Sequence, residues 1–434
     1  MLYKKLVKGI GIACSLCFLQ YGVARAQDAG TQADTLHLDI KQAEKIFLDK
    51  NLTLLAQHYN IEIGKAMEQQ AKLWDNPVLN TDQNVYSNAK WFEHGTNPDG
   101  SVAGQYYIQV QQLIKTANKR GKLVKMAQTN TAISEWQFKD LMNNLKYQLR
   151  SDFYTIAQLE DNRRLYQMEM QQLEVLVNGM NAQFKAGNIA RKDLLRIQAL
   201  QISTQQEATD NDKQLEDAQA ELKTMLQITG NTFIMPLTGT TGLPSLKDLS
   251  IAGITDMARQ NNAAYQLQQL QVQYQQQNLS YQKALAVPDV TLGPNFDKNS
   301  NYIHDYVGMG ISLPLPLLNR NQGNIRAAGW QVKQEETNMQ QADQQLQNAI
   351  LSAYNKLLYT LKISSSEQQT FYSDYNSLYN NIVESYKQRQ IGLVDFIDYF
   401  NAYKDIRQKQ MQQQLNLQLA KEDLNLQAGT DIIQ

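Results

Sequence analysis

Apolar residues recur at every third or fourth position through most of the chain, with Asn, Gln and Lys between them. One such row comprises Phe138, Leu141, Met142, Leu145, Leu149, Phe153, Ile156 and Leu159. A similar row comprises Ile350, Tyr354, Leu357, Leu358 and Leu361. This spacing places the apolar side chains along one stripe of a helix. The pattern therefore predicts amphipathic helices that pack through a single face.

Helix-breaking residues gather in a few places and divide the chain into helical stretches of two lengths. Two long helices are predicted over residues 122–185 and 324–389, each roughly 100 Å long. Four shorter helices of roughly 55 Å are predicted over residues 38–75, 190–228, 249–285 and 393–428. Helices of this length need neighbours along their whole length, either as coiled-coil partners or in an oligomer.

Strict alternation of apolar and polar residues appears in the gaps at one end of the long helices. Tyr106, Ile108 and Val110 share one face of a strand and glutamines occupy the other. We predict strands near residues 77–87, 104–114, 288–297 and 305–314, two in each half. A tilted strand of about ten residues is long enough to cross a bilayer.

Four strands cannot close a barrel, and an open sheet edge cannot face lipid. If the strands cross a membrane, other copies of the chain must complete the sheet, and a trimer would supply twelve strands. The alternative is that the strands form soluble hairpins that cap a helical bundle. Polar loops of unequal length, 87–104 and 297–305, would face the cell exterior in the membrane interpretation.

One segment occurs twice in the chain, at residues 184–195 and 386–397. In each copy an aromatic residue, Phe184 or Tyr386, precedes an aspartate, Asp193 or Asp395, by nine positions, with a helix-breaking turn between them. A duplication of this kind indicates two copies of one structural unit. We therefore predict pseudo-symmetric repeats over residues 36–230 and 245–430.

The first 26 residues have the features of an export signal. Lys4, Lys5 and Lys8 precede an apolar stretch at residues 10–19, and Ala24 and Ala26 provide a small-residue cleavage site. We therefore expect a mature chain of residues 27–434. Both cysteines lie within the signal, so the mature chain has neither a disulfide nor a thiolate metal site.

Several classes of function lack support in the composition. The net charge is −1 and basic residues are interspersed with acidic ones, which gives no surface for nucleic acid. No stretch after the signal is apolar enough for a membrane-spanning helix. The motifs of phosphate loops, nucleophile elbows and zinc proteases are missing, so we predict neither an enzyme nor a cofactor.

The four histidines lack the short spacing of a metal site, so no metal is predicted. His37 and His58 are isolated on helical segments, whereas His94 and His304 lie in the predicted external loops. A site at His94, or at His304 with Asp305, is the less favoured alternative. The run of aromatic residues between Phe371 and Tyr386 has helical spacing, which favours packing between helices over ligand stacking.

The repeated segment contains the strongest candidate site. The helical turns are expected at Gly187-Asn188 and at Gln390-Ile391-Gly392. Asp395 and Asp398 would share one helix face, and three-fold symmetry would turn them into stacked acidic rings that select cations. The alternative is that Asp193 and Asp395 cap the helices that follow. For Asp193 capping is the favoured interpretation.

The duplicated halves, the strand pairs, the paired long and short helices and residues 386–398 together resemble the TolC superfamily of outer-membrane channel proteins. Residues 313–324, Leu-Pro-Leu-Pro-Leu-Leu-Asn-Arg-Asn-Gln-Gly-Asn, resemble the strand-to-helix junction of CzcC-type heavy-metal efflux members. The resemblance implies a mainly α fold whose strands form a twelve-stranded outer-membrane barrel in a homotrimer, above a periplasmic helical tunnel. It also implies docking, through the helical tips, to a periplasmic adaptor and an inner-membrane RND-type pump.

In the resembled family Asp395 and Asp398 match the aspartates of the periplasmic constriction, and Tyr386 matches an aromatic residue of its closing network. Ile391 departs from the pattern, because the best-known member has a basic residue there; Arg389 or Arg191 could substitute. The predicted function is a passive exit duct for metal cations or small toxic compounds. The alternatives are a type I protein-secretion duct of the same fold and a soluble periplasmic coiled-coil scaffold.

Overall fold

The computed structural model describes residues 34–87, 89–239, 250–300, 303–364 and 366–433. The expected export signal, residues 1–26, lies outside the described residues. The first half contains β1 Thr35–Leu38, α1 Ile40–Lys50, α2 Leu52–Lys72, β2 Val78–Gln83, β3 Tyr86–Ser87, β4 Lys90–Trp91, β5 Gly95–Thr96, β6 Val102–Ala103, β7 Tyr106–Ile114, α3 Lys119–Lys185, α4 Arg191–Leu226 and β8 Phe233–Pro236. The second half contains α5 Ile251–Asn261, α6 Ala263–Leu285, β9 Val290–Asn299, β10 His304–Ser312, α7 Gln322–Ile363, α8 Ser366–Lys387 and α9 Leu393–Ala428.

The two halves repeat the same order of helices and of long strands. In each half a pair of helices leads to two long strands of the sheet, and a long helical stretch then leads to a 36-residue helix, α4 or α9. The first long helix, α3, runs without interruption for 67 residues. Its length and that of α9 agree closely with the helical periodicity of the sequence.

The single helices predicted over 38–75 and 249–285 are wrong, because each is divided at an asparagine. Asn51 caps α2 by accepting a hydrogen bond from the Leu54 N–H (3.0 Å), and its amide donates to the Met225 carbonyl near the end of α4 (3.0 Å). Asn262 does the same at α6 and donates to the Gln427 carbonyl at the end of α9 (3.1 Å). Each asparagine therefore starts one helix and satisfies a terminal carbonyl of another.

The second long helix, predicted over 324–389, is also interrupted. α7 ends at Ile363 and α8 begins at Ser366. The Ser364 hydroxyl donates to the Thr360 carbonyl (3.1 Å), and its N–H lies 3.2 Å from the carbonyls of both Thr360 and Leu361. A serine hydroxyl competes with the helical ladder for backbone groups, which makes Ser364 a natural point for the helix to end.

The four longest strands form one antiparallel sheet in the order β10-β9-β7-β2. The β7–β9 pair joins the two halves, and β10 and β2 are the outer strands. β2 has six residues, fewer than the strand expected near 77–87, because the chain continues into the short β3–β4 and β5–β6 hairpins.

The register places apolar residues of all four strands on one face of the sheet. This face carries Leu79, Ile108, Val110, Leu292, Pro294, Phe296, Val307, Met309 and Ile311. The opposite face carries Asn80, Asp82, Gln109, Gln111, Asn295, Asp297 and the glycines 293, 308 and 310. The first face, which also includes Thr81 and Gln112, is therefore mainly apolar. The second, which also includes Val78, Tyr107 and Leu113, is mainly polar.

The connection between the halves contains a strand that the sequence interpretation missed. Within this connection β8 pairs in parallel with β1. Gln219 fixes this strand, since its amide donates to the Ile234 carbonyl (2.7 Å) and its oxygen accepts from the Ile234 N–H (3.0 Å). A four-residue strand is too short to produce a recognisable alternation. Residues 240–249 lie outside the described part of the chain.

An ion-pair cluster ties α3 to α1 and to the C-terminal segment. The Arg150 guanidinium donates to Glu44 (2.5 Å), to Asp431 (2.9 Å) and to Glu422. Burial alone would raise the pKa of Asp431, but hydrogen bonds from Arg150 and Lys146 hold it at about 2. The cluster therefore joins the two halves of the chain near the middle of α3, far from both the sheet and the hairpin turns.

Candidate functional site at the two hairpin tips

The two helical hairpins, α3–α4 and α8–α9, end in the same turn. In the first tip (residues 183–196) the Gly187 N–H donates to the Phe184 carbonyl and the Asn188 N–H to the Gln183 carbonyl, both at 2.9 Å. In the second tip (residues 385–398) Arg389 and Gln390 make the equivalent bonds, at 3.0 and 2.8 Å. This pair of bonds is a Schellman motif, which needs a residue with positive φ.

The residues with positive φ differ between the tips. Gly187 has φ 76°, a value that glycine adopts without strain. Arg389 occupies the equivalent position with φ 59°, where a residue with a Cβ atom is disfavoured. The sequence interpretation placed the second turn at Gln390-Ile391-Gly392, whereas Gly392 instead serves as the extended N-cap of α9. The second turn was misplaced because it has no glycine at the residue with positive φ, and an arginine in the sequence does not indicate this conformation.

The two tips contact each other. The Gln183 side-chain oxygen accepts from the Asn188 amide (2.8 Å) within the first tip and from the Arg389 guanidinium (3.3 Å) of the second. Gly187, Asn188, Gln390 and Gly392 are exposed at the end of the molecule. Ile391 is half-buried and packs, with Ile189, against the core between the hairpins.

Tyr386 lies in the core beneath the tips. Its ring stacks on Phe396, with ring centroids 4.6 Å apart, and its hydroxyl lies 3.5 Å from the Met180 sulfur. Burial, and secondarily the charge of Asp193, raises the pKa of the Tyr386 hydroxyl. Tyr386 therefore contributes chiefly packing between α8, α9 and α3 within one protomer.

The aspartates occupy different environments. Asp395 is exposed and its carboxylate accepts from the Gly392 N–H (3.3 Å), which is the contact expected of a residue that caps a helix. Asp193 is half-buried in the first turn of α4. Asp398 is exposed one turn later, where its charge contributes, after burial, to raising the pKa of Tyr375. The structure thus brings Asp193 near Tyr386 and leaves Asp395 and Asp398 on the surface of α9.

A basic residue that the sequence interpretation did not single out belongs to this site. When the alignment of the two repeated segments is continued past Leu195 and Ile397, Arg196 falls opposite Asp398. Arg196 is exposed on α4 as Asp398 is on α9. The two hairpins therefore present opposite charges at equivalent positions, a feature that could have been found from the duplication.

The aromatic run of α8 packs against α9, as its helical spacing predicted. Tyr379 is 3% exposed and stacks on Tyr403 with ring centroids 3.7 Å apart. Tyr372 is also buried, and its hydroxyl donates to Gln413 (2.8 Å). These contacts attach α8 to the rest of the molecule.

A buried acid lies beneath this aromatic layer and was missed. Glu169 occupies a position in the apolar row of α3, between Leu165 and Leu173, and it is 0% exposed. Burial raises the pKa of Glu169 to about 8, with Lys404 opposing and Glu207 adding to the effect. A glutamate in the middle of an apolar stripe was the available signal.

Within the described ranges, no group of three or more His, Cys, Asp or Glu side chains is arranged to hold a metal ion. In the same residues, none of the helices is both long and apolar enough to cross a membrane. His94 precedes the short strand β5, and His304 begins β10.

Neither the comparison with protein-family models nor that with curated proteins gives a match. Solved structures do match. The outer-membrane protein VceC of Vibrio cholerae superposes with a TM-score of 0.70 at 14% identity, over 90% of this chain and 96% of that one. The outer-membrane channel CmeC of Campylobacter jejuni gives 0.70 at 12% identity, over 90% of this chain and 86% of that one.

CusC, a protein that forms a transmembrane channel, gives a TM-score of 0.73 at 13% identity, over 94% of this chain and 96% of that one. These matches cover nearly the whole of both partners in each pair, so they concern the complete arrangement of helices and strands. The CzcC-type subclass is not distinguished by them. The chain therefore has the fold of the TolC-like outer-membrane channels, as the sequence resemblance implied.

Proposed function

We propose that this chain is the outer-membrane channel of a tripartite efflux system, a passive exit duct without enzymatic activity. The observation that carries the proposal is the four-stranded sheet, which has one mainly apolar face and two edges without a partner strand among the described residues. On that face Val307 is 76% exposed, Met309 64% and Ile311 71%. Apolar side chains exposed in such a row need an apolar environment, and lipid supplies it.

Among the described residues, the outer strands β10 and β2 each have a partner strand on one side only. In lipid the backbone groups on the other side must be paired, which requires further copies of the sheet. Three copies place twelve strands in a closed barrel, with the apolar face toward lipid and the polar face toward the lumen. The fold shared with solved outer-membrane channels supports this assembly.

A second exposed apolar surface favours a homotrimer along the helices. It lies on α2 and comprises Leu52, Leu55, Tyr59, Ile63 and Met67. These residues recur every three or four positions, as in a helix that packs against a partner. A neighbouring protomer that covers this stripe would continue the helices into a tunnel.

The tips lie at the opposite end of α3 from the sheet, roughly 100 Å away. With the barrel in the outer membrane, they reach into the periplasm. There Gly187, Asn188, Gln390, Ile391 and Gly392 would contact a periplasmic adaptor and, through it, an RND-type pump. Asp395 and Asp398, with Asp193 and Tyr386 behind them, would form the constriction of the channel mouth.

Metal cations or small toxic compounds are the proposed cargo. The exposed aspartates of the second tip and the CzcC-like junction at residues 313–324 support cations. A deletion strain tested against metals, dyes and antibiotics would separate these cargoes. Selective sensitivity to zinc, cobalt, copper or silver supports the heavy-metal subclass. Accumulation of an unsecreted protein would instead favour a protein-secretion duct.

The assembly is tested with the purified mature protein in detergent and in planar bilayers. We expect a stable trimer that conducts ions. Met309→Asp, which places a charge on the apolar face, should abolish membrane insertion, whereas Asn295→Asp on the polar face of the neighbouring strand should not. A protein that stays soluble without detergent and conducts nothing would refute the proposal.

A further inference from the structure

Glu169 is enclosed between α3 and the helices that pack on it. Neither of its carboxylate oxygens has a hydrogen-bond partner among the described residues. An ionised carboxylate in such a place is strongly unfavourable, because it has lost its water without gaining a partner. Burial therefore favours the protonated form of Glu169.

The donors that face Glu169 already donate to other groups. The Lys404 ammonium on α9 donates to both oxygens of Glu207 on α4 (2.9 and 2.7 Å). The Tyr379 hydroxyl on α8 donates to Gln172 of α3 (2.7 Å). These hydrogen bonds are undisturbed while Glu169 is neutral, because a neutral carboxyl group does not attract the donors away from their present acceptors.

Two further tyrosines complete the surroundings. The Tyr403 hydroxyl on α9 donates to Asn376 of α8 (3.2 Å). Tyr166, on α3 itself, accepts from the Gln408 amide (2.6 Å). The titratable groups around Glu169 are thus Tyr166 on α3, Glu207 on α4, Tyr379 on α8, and Tyr403 and Lys404 on α9.

The same contacts fasten α8 to the molecule. Tyr379 links α8 to α3, and Tyr403 links α9 to α8, while their rings stack on each other. If Glu169 ionises, its charge acts on the Lys404 ammonium and on the hydroxyls of Tyr379 and Tyr403, which are donors available to turn toward it. Each donor that turns toward Glu169 gives up a bond that holds α8 or α4. Because α8 is separate from α7 at Ser364, it can move without moving α7.

We propose that Glu169 is a proton-controlled latch, which keeps α8 docked on α3 and α9 when protonated and releases α8 and the second tip when ionised. The latch rests on contacts within one protomer. Only the consequence that its release opens a channel mouth rests on the proposed function.

The direction of the pH effect follows from the position of the titration. The pKa of Glu169 is about 8 when α8 is docked, compared with an ordinary value of 4.5 for an exposed glutamate. The docked state therefore binds the proton more tightly, so docking is strongest in acid. It weakens about tenfold per pH unit between the two pKa values and changes no further above the higher one.

Hydrogen exchange of the α8 amides in the full-length assembly tests the latch. After correction for intrinsic exchange, we expect α8 protection to fall roughly 70-fold between pH 5.5 and 7.5. Protection of α6, which makes none of these contacts, should remain constant. Glu169→Gln should keep α8 protected at both pH values, and Glu174→Gln, an exposed glutamate of the same helix, should behave as the wild type.

The comparison of α8 with α6 in the wild type needs no variant, so a poorly folded Glu169→Gln protein would leave the test intact. Protection of α8 that does not change with pH would overturn the latch. So would loss of the pH effect in Glu174→Gln. A non-conducting protein whose α8 responds to pH would refute the channel but not the latch, and a conducting protein whose α8 does not respond would do the reverse.

Discussion

The two hairpins share one turn geometry, but they differ in the helices that support them and in the residues at their turns. The first hairpin rests on α3, which is continuous from the strand junction to the tip, and it turns at Gly187. The second rests on α8, which is separate from α7, and it turns at Arg389. The first turn thus has a glycine, which adopts positive φ without strain, and the second has an arginine, for which positive φ is unfavourable.

This difference is informative because local rules are most often broken where function requires it. Arg389 costs backbone energy and places a guanidinium at the interface between the tips. The second hairpin also has the aromatic layer and the contacts of α8 above Glu169. We infer that the first hairpin keeps its position and that the second hairpin is the one that moves when Glu169 ionises.

The largest expected difference in stability between the two hairpins is in the core beneath the tips. Phe396 is fully buried and its ring stacks on Tyr386, whereas the equivalent residue, Leu194, is 7% exposed and has no aromatic ring to stack. Phe396→Ala should lower the free energy of unfolding by about 3–5 kcal/mol, and Leu194→Ala by less. Chemical unfolding followed by the helical circular dichroism signal measures both.

Val394→Ala is the control, since this side chain lies on the same helix and is 58% exposed. It should change stability by no more than about 0.5 kcal/mol. A greater loss in Leu194→Ala than in Phe396→Ala would show that the first tip, not the second, is held by the better-packed core.

Periodicity was sufficient to predict α3, α4 and α9, because each buries one continuous stripe over its length. It could not predict the divisions at Asn51, Asn262 and Ser364. At these points one side-chain hydrogen bond, made to a residue distant in sequence or to the preceding turn, outweighs a pattern that continues through the break.

The candidate site was also predictable only in part, because the sequence shows local patterns but not how the helices pack. The duplication located both tips and their aspartates. It could not show that Tyr386 would face a core within one protomer, or that Glu169 would lose all contact with water. Both outcomes depend on how α8 and α9 lie against α3, which no local signal encodes.

The next contrast concerns the turns themselves. Arg389→Gly should raise the free energy of unfolding by up to about 1 kcal/mol through relief of the positive φ, less whatever its bond to Gln183 contributes. Gly187→Ala should lower it by about 1 kcal/mol. Gly179→Ala, at an ordinary helical position of α3, should instead stabilise the protein slightly. Thermal unfolding of the three variants checks the signs, and a stabilising Gly187→Ala would contradict the shared turn geometry.

The smallest effects on stability are expected for the exposed charges, where the comparison concerns permeation instead. Arg196 and Asp398 are equivalent in the two hairpins, and among the described residues neither forms an ion pair. In the proposed trimer they would place opposite charges at one level of the mouth. Asp398→Asn, alone or with Asp395→Asn, should therefore reduce cation preference, and Arg196→Gln should increase it. Reversal potentials in a salt gradient measure both changes. If Arg196→Gln leaves the potential unchanged while Asp398→Asn shifts it, only the second hairpin lines the conducting path, and the asymmetry extends from the backbone to the pore.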